Sequence, residues 1–472
     1  MKQEAGNEVL AALLAELGWS PRALARRINR VSGVGTVAET APYHWRDAGR
    51  VPRPPLPALA AWVLSRELGR PVTIAELWQG HAADSPLTLP ADVEMDQPWT
   101  RAGALSIIED WVVSGLLDRR FFLAVSASAL TALASGYPVS APGSLPRALA
   151  GQPVGHPLLE QIEQSIPLLQ RLDDASGGGT HLAYVGAQFR AVALLVRQGG
   201  HPDPVDRRLF AALAEIGQLA GWMAVDAGRH GLAQRYFFTA LRAAHEAGYR
   251  SMAAHVLADL AFQAATCEHA ADAIGLGEAA SGAAFGMPAT VRASVATRLA
   301  YGYAIAGRMS DFERAYQSGL DTLAGCNNSE EPAWMYFLTP SHLDTQAGYA
   351  LTHAGVLAQG AGDPGAARSL LRRGSQLLHT GAHAIPFDHV AQRRALFEGA
   401  WLAVAAASQG DLEQACSIGQ VAVARTQTVR SHRSTEVLGV LALRLRRRSR
   451  NEHVAGFLPA LETALAGHAE PA

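Results

Sequence analysis

The sequence contains few lysine, cysteine or aromatic residues. Lys2 is the only lysine, so arginine supplies almost all of the 40 basic residues, and aromatic residues make up only 7%. The three cysteines, Cys267, Cys326 and Cys416, are far apart and form no CxxC pair. This spacing provides neither a disulfide framework nor a cysteine-rich metal site, and it favours a reducing compartment.

Signals for export and for membrane insertion are also lacking. The N-terminus does not show the basic-then-apolar order of a signal peptide. Residues 121–146 are uncharged, but the apolar part is short, rich in serine and ended by Gly136 and Pro138. A buried helix is therefore favoured over a membrane span. We expect a cytoplasmic protein with no membrane partner.

The common catalytic motifs do not occur. The sequence has no P-loop, no GxGxxG after a strand, no HExxH and no GxSxG. The segment "DDASGGGTH" (173–181) is rich in glycine but lacks the Lys-Ser/Thr of a phosphate loop, so it is predicted to join two helices. We therefore expect neither an enzyme nor a bound cofactor.

One histidine-rich segment, "HTGAHAIPFDH" (379–389), carries side chains of the types that bind zinc: His379, His383, Asp388 and His389. On one helix, His379 and His383 would share a face suited to zinc. Gly381 and Pro386 instead favour a loop, and no second cluster of ligands is visible. The sequence therefore predicts no metal.

The composition predicts a large helical interior. The chain has 472 residues, of which 49% are apolar, enough for several domains or a repeat array. Residues 1–80 show the periodicity of five short helices. Residues 81–99 carry three prolines and little periodicity, which indicates a linker. Residues 100–470 are predicted to be helical, with no convincing strand.

A repeated pattern occupies the second half. A turn residue is followed by a small or apolar residue five, nine and twelve positions later. Copies start at Gly228, Gly307, Gly362 and Gly410, and a weaker copy starts at Glu268. The turn residue suits an antiparallel helix pair, and small residues allow close packing. Because no pair covers its own apolar face, the pairs are predicted to stack into an α-solenoid with irregular spacing.

Positive charge is concentrated near the N-terminus. Residues 1–80 hold ten Lys/Arg against seven Asp/Glu, and residues 20–53 hold seven arginines against Glu39 and Asp47. The remainder of the chain is acidic. A local basic surface on a near-neutral protein suggests a polyanionic partner such as double-stranded DNA. The alternative is a small helical docking module with a solvated arginine face.

The second and third helices have recognisable ends. Ser20 is a suitable N-cap and Pro21 suits the first helical position of the second helix. For the third helix, Thr40 can cap, Pro42 falls in the first turn and Gly49 can end the helix in a left-handed conformation. Two helices flanking a glycine-containing connector indicate a helix-turn-helix module.

The third helix is expected to enter the major groove of DNA. With Trp45 facing the core, helical spacing turns Tyr43 outward and leaves His44 and Arg46 beside it, where they can meet base edges. Arginines before and after this helix suit phosphates. The candidate DNA-contacting residues are Arg22, Arg26, Arg27, Thr40, Tyr43, His44, Arg46, Arg50 and Arg53.

Three N-terminal segments carry a family resemblance. "SPRALARRINR", "TAPYHWRDAGRVPRP" and "LGRPVTIAELW", within residues 8–79, resemble the DNA-binding domain of actinobacterial XRE-type regulators. The segment "GWMAVDAGRHGLAQRYFFTALRAAHEAG" (221–248) resembles the start of the tetratricopeptide region that such regulators carry. The resemblance implies a transcription regulator, often one of development or secondary metabolism.

An aromatic insert is the candidate ligand site. The segment "EPAWMYF" (331–337) places Trp334 and Tyr336 where they can line the concave groove of the solenoid. Packing between repeats is the alternative for both. Trp222 is predicted to be a core residue.

These patterns predict a DNA-binding transcription regulator. The N-terminal domain reads operator DNA, and the repeat region forms a homodimer and senses a small molecule, a peptide or a protein partner. The alternative is a scaffold or adaptor protein of the tetratricopeptide type that does not bind DNA.

Overall fold

The computed structural model of the chain is helical wherever it is described. It describes residues 6–32, 37–53, 56–68, 74–78, 100–113, 153–326 and 331–468, together with Arg70, Val72 and Ala148. These residues form helices, turns and loops without a strand. The predicted all-α fold, with a helical N-terminal domain followed by a helical repeat region, is confirmed.

The chain divides into two compact units. The first contains residues 1–97 together with 228–235 and 470–472, and the second contains the remainder. The predicted linker (81–99) and the apolar stretch (121–146) lie outside the described residues.

Five helices make up the described part of the N-terminal unit. They are α1 (Glu8–Glu16), α2 (Pro21–Ser32), α3 (Ala41–Asp47), α4 (Leu56–Leu68) and α5 (Ile74–Leu77). Their inward side chains form one apolar core. It contains Leu10, Leu13, Leu14, Leu24, Ala25, Ile28, Val37, Trp45, Ala60, Ala61, Val63, Leu64, Val72, Leu77 and Trp78.

Asn7 joins three of these helices. Its Oδ1 accepts a hydrogen bond from the Leu10 N–H (2.8 Å) and so caps α1. Its backbone N–H donates to the Arg46 carbonyl (2.7 Å), and its Nδ2 donates to the Leu77 carbonyl (2.7 Å). The C-terminal ends of α3 and α5 are thereby tied to the start of α1.

Ser20 fixes the start of α2, and Asn29 fixes the connection from α2 to α3. Ser20 Oγ accepts from the Ala23 N–H (3.2 Å), which confirms the predicted cap of α2. Asn29 exchanges two hydrogen bonds with the backbone of Val37, at 2.8 and 2.7 Å. Because Val37 is also buried, the chain returns to the core just before α3 begins.

A succession of helices follows from residue 100 onward within the described residues. They are α6 (Arg101–Val113), α7 (His156–Ser176), α8 (Gly178–Gln198), α9 (Asp203–Asp226), α10 (His230–Glu246), α11 (Arg250–Thr266), α12 (Ala270–Ala283), α13 (Ala289–Ile305), α14 (Met309–Ala324), α15 (Pro340–Gly360), α16 (Pro364–Leu378), α17 (Gln392–Gln409), α18 (Leu412–Arg425), α19 (His432–Arg446) and α20 (Glu452–His468). Short 3₁₀ helices occupy Ala333–Met335 and Ala382–Ala384.

Every turn predicted from the repeat pattern lies between two paired helices and has left-handed backbone. The φ angles are 74° at Gly228, 71° at Gly307, 81° at Gly362 and 90° at Gly410. Glu268, the weaker copy, has φ 62° and is the one non-glycine residue with positive φ among those described. The later positions of each copy are buried, so the pattern marks real structural units. These positions are Ala233, Phe237, Ala240, Ala273, Gly277, Ala280, Phe312, Tyr316, Gly319, Ala367, Leu371, Gly374, Ala415, Gly419 and Ala422.

Replacing Glu268 with glycine is expected to stabilise the protein by about 0.5–1 kcal/mol. Glycine adopts left-handed backbone without the Cβ penalty. Part of that gain is offset by the greater freedom of the unfolded chain and by loss of the contact between Glu268 Oε1 and His353 Nε2 (3.8 Å). Gly307→Ala, at the equivalent turn, is the matched control. No atom lies within 4 Å of its added Cβ, so only backbone strain acts. In urea unfolding, the free energy of unfolding should rise in Glu268→Gly and fall in Gly307→Ala. A change in the same direction in both variants would contradict the prediction.

The inner helices of the pairs form a closed circuit. Each odd-numbered helix from α9 to α19 contacts the next one in the series, and α19 returns to contact α9. Helix α7 supports the closure because it packs against both α9 and α17. The repeat pattern predicts stacking, but it does not predict that the two ends of the stack meet.

The glycine-rich segment lies at this closure. The Arg430 N–H donates to the Ser176 carbonyl (2.8 Å), and the Gly179 N–H donates to the Arg430 carbonyl (2.9 Å). A Cβ on Gly177 would lie 2.7 Å from the Arg430 carbonyl oxygen. Because Gly177 alone separates α7 from α8, the predicted junction between two helices is confirmed.

A buried carboxylate, Asp226, braces the same closure. Its side chain is 0% exposed and accepts hydrogen bonds from the Gly178 N–H (3.0 Å), the Ser431 hydroxyl (2.8 Å) and Arg433 Nε (3.2 Å). It therefore connects the start of α8 and the end of α9 to the start of α19.

Helix α9 is long and apolar enough to cross a membrane by length and composition. Within the described residues it is the one such helix, and 78% of its most apolar window is buried inside the protein. That burial is typical of a core helix of this length.

Candidate functional site

Helix α3 has the orientation predicted from its sequence. Trp45 is 4% exposed and meets Trp78 edge to face, with ring centroids 6.0 Å apart. Tyr43 is 37% exposed, and His44 is also exposed. Trp45 therefore holds the helix against the core while Tyr43 and His44 face outward.

The ends of α3 agree with the prediction in part. Gly49 has φ 63°, and the Arg50 N–H bonds back to the His44 carbonyl (3.2 Å), so the predicted left-handed end is confirmed. Pro42 lies in the first turn, also as predicted. Thr40 occupies the N-cap position but has helical backbone and makes no side-chain capping bond. Its expected role as a cap is wrong, because an N-cap hydroxyl reaches the first turn from extended backbone.

Arg46 is less available than its sequence position suggests. Its guanidinium bonds to the neighbouring Asp47 (Nε–Oδ1 2.6 Å) and lies 5.5 Å from the centre of the Tyr43 ring. The hydrogen bond from Arg46 lowers the pKa of Asp47. A partner reaching Arg46 must compete with this local pair.

The arginines of α2 are paired with acidic side chains. Arg22 and Arg26 both donate to Glu39, with Arg26 Nε 3.1 Å from Oε1. Slight burial by itself raises the pKa of Glu39, but the hydrogen bonds from both arginines outweigh it and lower that pKa. Arg27 lies 3.6 Å from Glu67 Oε1 and 5.2 Å from the centre of the Trp19 ring. Glu39 thus offsets much of the basic charge predicted for α2.

Among the arginine side chains that the structure describes in this unit, two without an acidic partner follow α3. Arg50 and Arg53 are exposed, and neither side chain has an ion-pair partner within the described part of the chain. They follow directly on the outward face of Tyr43 and His44.

A cavity of about 300 Å³ lies in the second unit, among the inner helices of the circuit. Each of the six inner helices contributes to its wall. The lining residues are Gln170, Asp173, Asp174, Gln218, Leu219, Trp222, His255, Asp259, Arg298, Trp334, Tyr336, Phe337, His342, Tyr349, His389, Val390, Ala391, Arg393, Arg394, Phe397, Glu398 and Arg433.

The aromatic insert is part of this wall. Trp334 is 6% exposed, and its Nε1 donates to the Tyr249 hydroxyl (2.7 Å). Tyr336 is 53% exposed and donates to Asp174. Glu331 anchors the insert because it accepts from the first backbone N–H groups of α13. The structure places both candidate ligand residues on the cavity wall, and their binding of a ligand remains a prediction.

Trp222 does not fit its assignment to the core. It is half-buried and lines the cavity, where three guanidiniums surround its indole. The guanidinium carbons (Cζ) of Arg298, Arg393 and Arg433 lie 5.1, 5.5 and 5.0 Å from the centre of the Trp222 ring. Sequence reasoning missed these arginines because each comes from a different helix, and only the closed circuit brings them together.

Most charges of the wall are paired. Arg393 Nη2 lies 3.0 Å from both Asp173 and Asp174, and Arg433 Nη2 lies 3.1 Å from Asp226. These five groups include three carboxylates and only two guanidiniums. Burial is the main cause that raises the pKa of Asp173 to about 7. The neighbouring carboxylates of Asp226 and Asp174 add to the shift, although Arg393 opposes it.

The contribution of Asp173 to stability is therefore expected to fall with rising pH, whereas buried histidines with a lowered pKa, such as His255 and His342, contribute in the opposite direction. An unfolded Asp has a pKa of about 3.9. Between that value and about 7 the folded protein holds a proton on Asp173 that the unfolded chain lacks, and this advantage is lost as pH rises. The loss should be about 2 kcal/mol between about pH 5.5 and about pH 8.

Urea unfolding of Asp173→Asn across this pH range checks the prediction. The free energy of unfolding of the variant, relative to that of the native chain, should rise by about 2 kcal/mol between about pH 5.5 and about pH 8. Glu452→Gln, which changes an exposed acid, should keep the native profile. Parallel profiles for all three proteins would contradict the assignment to Asp173.

The histidine-rich segment forms a turn. His379 follows α16, His383 lies in the 3₁₀ helix Ala382–Ala384, and their ring centres are 5.9 Å apart. No group of three or more potential metal ligands occurs among the described residues. Arg425, which is 1% exposed, holds the turn by donating to the carbonyls of His383 (3.2 Å) and Ile385 (2.6 Å).

Fold and geometry define an all-α protein of two units, a five-helix unit with an outward-facing third helix and a closed helical repeat with an aromatic and ionic cavity. Residues 10–78 match the family model of the SP15 N-terminal domain. The match covers α2 to α5 and most of α1. Among curated proteins, no match to the chain was found.

Proposed function

We propose that this protein is a cytoplasmic DNA-binding transcription regulator. The observation that carries the proposal is the presentation of α3. Trp45 anchors the helix from the inside, while Tyr43 and His44 face outward and Arg50 and Arg53 follow without ion-pair partners in the described structure. Outward polar and aromatic groups beside unpaired arginines suit base edges and phosphates.

The repeat region, in this proposal, forms the homodimer and senses a ligand. A small helix-turn-helix unit contacts few base pairs, so two copies on two half-sites give the required affinity. A tetratricopeptide-type adaptor without DNA binding is the alternative, and pairing of the α2 arginines with Glu39 is the observation in its favour.

The test is salt-dependent binding of the full chain to its own upstream DNA. Arg50→Ala combined with Arg53→Ala should weaken binding and reduce the salt slope by about two. Arg70→Ala removes a charge from the same unit that is paired with Glu16, and it should leave the slope unchanged. If the native chain shows no salt-sensitive binding to DNA, and the double variant still captures a protein partner, the adaptor function is supported instead.

Replacing Glu39 with glutamine is expected to strengthen DNA binding. The change releases Arg22 and Arg26 from their shared carboxylate and should steepen the salt slope by about one to two. Fluorescence anisotropy with one duplex at several salt concentrations measures this effect. A gain in affinity cannot arise from partial unfolding. Unchanged affinity would show that α2 does not contact phosphate.

A further inference from the structure

Arg298 is the exception among the charges of the cavity wall. It is 5% exposed, yet its Nε has no hydrogen-bond partner. Nη1 lies 3.5 Å from the Tyr349 hydroxyl, and Nη2 lies 3.7 Å from Asp259 Oδ1, beyond hydrogen-bond distance. By contrast, Arg393, Arg394 and Arg433 each hydrogen-bond a carboxylate. A buried guanidinium N–H without an acceptor is costly, and here Nε has none while Nη1 and Nη2 have only these long contacts.

His255 is a second incompletely bonded group beside it. It is 4% exposed, its Nδ1 has no hydrogen-bond partner, and its Nε2 is 3.7 Å from Asp259 Oδ2. Asp259 is itself satisfied by Gln218 Nε2 at 2.6 Å. Asp259 thus has a short hydrogen bond, whereas Arg298 and His255 make only long contacts with it and each keeps one nitrogen, Nε and Nδ1, without a hydrogen bond. The Arg298 Nε–H is therefore suited to an incoming hydrogen-bond acceptor.

The walls around this cluster are aromatic. The Arg298 guanidinium carbon lies 4.3 Å from the Phe262 ring centre and 5.1 Å from that of Trp222. The His255 ring lies 4.8 Å from that of Trp334 and is tilted by 32° to it. Planar rings with a cation nearby suit a flat organic group that carries negative charge.

The size of the cavity excludes a long ligand. A volume of about 300 Å³ is at the lower end of ligand pockets. It accommodates one small molecule rather than several residues of a peptide. Two of its lining residues, Tyr336 and Val390, are 53% and 58% exposed, so the cavity opens to solvent beside them.

We infer that this cavity binds a small aromatic carboxylate, whose carboxylate accepts hydrogen bonds from Arg298 and whose ring packs against Trp222 and Trp334. The inference deepens the ligand-sensing part of the proposed function by naming the class of ligand. Arg298 supplies N–H donors for the carboxylate oxygens, and the indoles supply the apolar contact.

The test is titration of the full chain, without DNA, with phenylacetate and indole-3-acetate. Binding is followed by tryptophan fluorescence, since two indoles lie in the wall, and by calorimetry. Phenylacetamide and phenethylamine are the neutral and cationic counterparts of phenylacetate. We expect saturable binding of the acids, with affinity about tenfold or more above that of the amide and the amine.

Variants locate the site. Arg298→Gln should reduce affinity for the acids about tenfold without changing that for the amide, whereas Arg298→Lys should retain part of it. Arg308→Gln, which alters an exposed arginine paired with Asp311, is the matched control and should bind as the native chain does. Circular dichroism checks that each variant is folded.

Three outcomes overturn the inference. They are equal binding of acid and amide, preference for the amine, and absence of binding of every probe at millimolar concentration. Because no DNA is present, a failure of DNA binding leaves this result unaffected. Conversely, failure of the probes to bind leaves the salt-dependent DNA test to decide the proposed function.

Discussion

Replacing Gly178 with alanine is expected to destabilise the helical repeat region by about 3 kcal/mol or more. An added Cβ would overlap the Met223 carbonyl oxygen and lie 2.7 Å from the Met223 Cα. Both atoms belong to the backbone of α9, so the clash cannot be relieved by a change of rotamer. The start of α8 would have to move away from α9 and from Asp226, whose carboxylate it binds.

The matched control is Gly275→Ala within α12. No atom lies within 4 Å of that added Cβ, and the position is exposed. Alanine should therefore stabilise the protein by about 0.5–1 kcal/mol through its helix propensity. Urea unfolding, followed by circular dichroism, measures both variants. Loss of less than about 1 kcal/mol in Gly178→Ala would show that the junction tolerates separation of α8 from α9.

Replacing Asp226 with asparagine is expected to cost about 3 kcal/mol. Asp226 is the carboxylate that pairs with Arg433, and Arg433 is itself 8% exposed and stacks 3.9 Å from the Phe397 ring centre. Asparagine preserves the shape but leaves a buried guanidinium without its counter-charge. Truncating one partner of such a pair is usually far more damaging than removing both.

A double-mutant cycle separates this effect from simple loss of packing. Arg433→Met removes the guanidinium but keeps an apolar side chain against Phe397. The double variant Asp226→Asn with Arg433→Met should be more stable than the sum of the two single losses predicts, by at least about 1 kcal/mol. Strict additivity in urea unfolding would indicate that Asp226 acts only through Ser431 and Gly178.

The fold was largely predictable because its signals are local. Turn glycines, capping residues and helical spacing act within a few residues, and they placed the helix pairs and the inward side of α3. Even the weaker copy at Glu268 proved to be a left-handed turn. The Thr40 cap failed because the backbone before α3 is set by the Asn29 bonds to Val37, a contact across the connector.

The sites were less predictable because their groups come from distant positions. Trp334 and Tyr336 were singled out by composition, but Arg298, Arg393 and Arg433 carry no local signal that distinguishes them from other arginines. Likewise, charge counting cannot reveal that Glu39 bonds to both Arg22 and Arg26. The roles assigned to these residues in binding DNA or a ligand remain predictions.

The closed circuit changes how the repeat region is expected to come apart. In an open stack, the terminal units have one neighbour fewer, so disorder starts there and spreads inward unit by unit. Here α9 and α19 are neighbours, and every inner helix is held on two sides. None of these six inner helices is terminal, so opening any one interface between them also relaxes the walls of the cavity. Slow amide exchange should accordingly extend evenly around the six inner helices, with no gradient from one end of the array to the other.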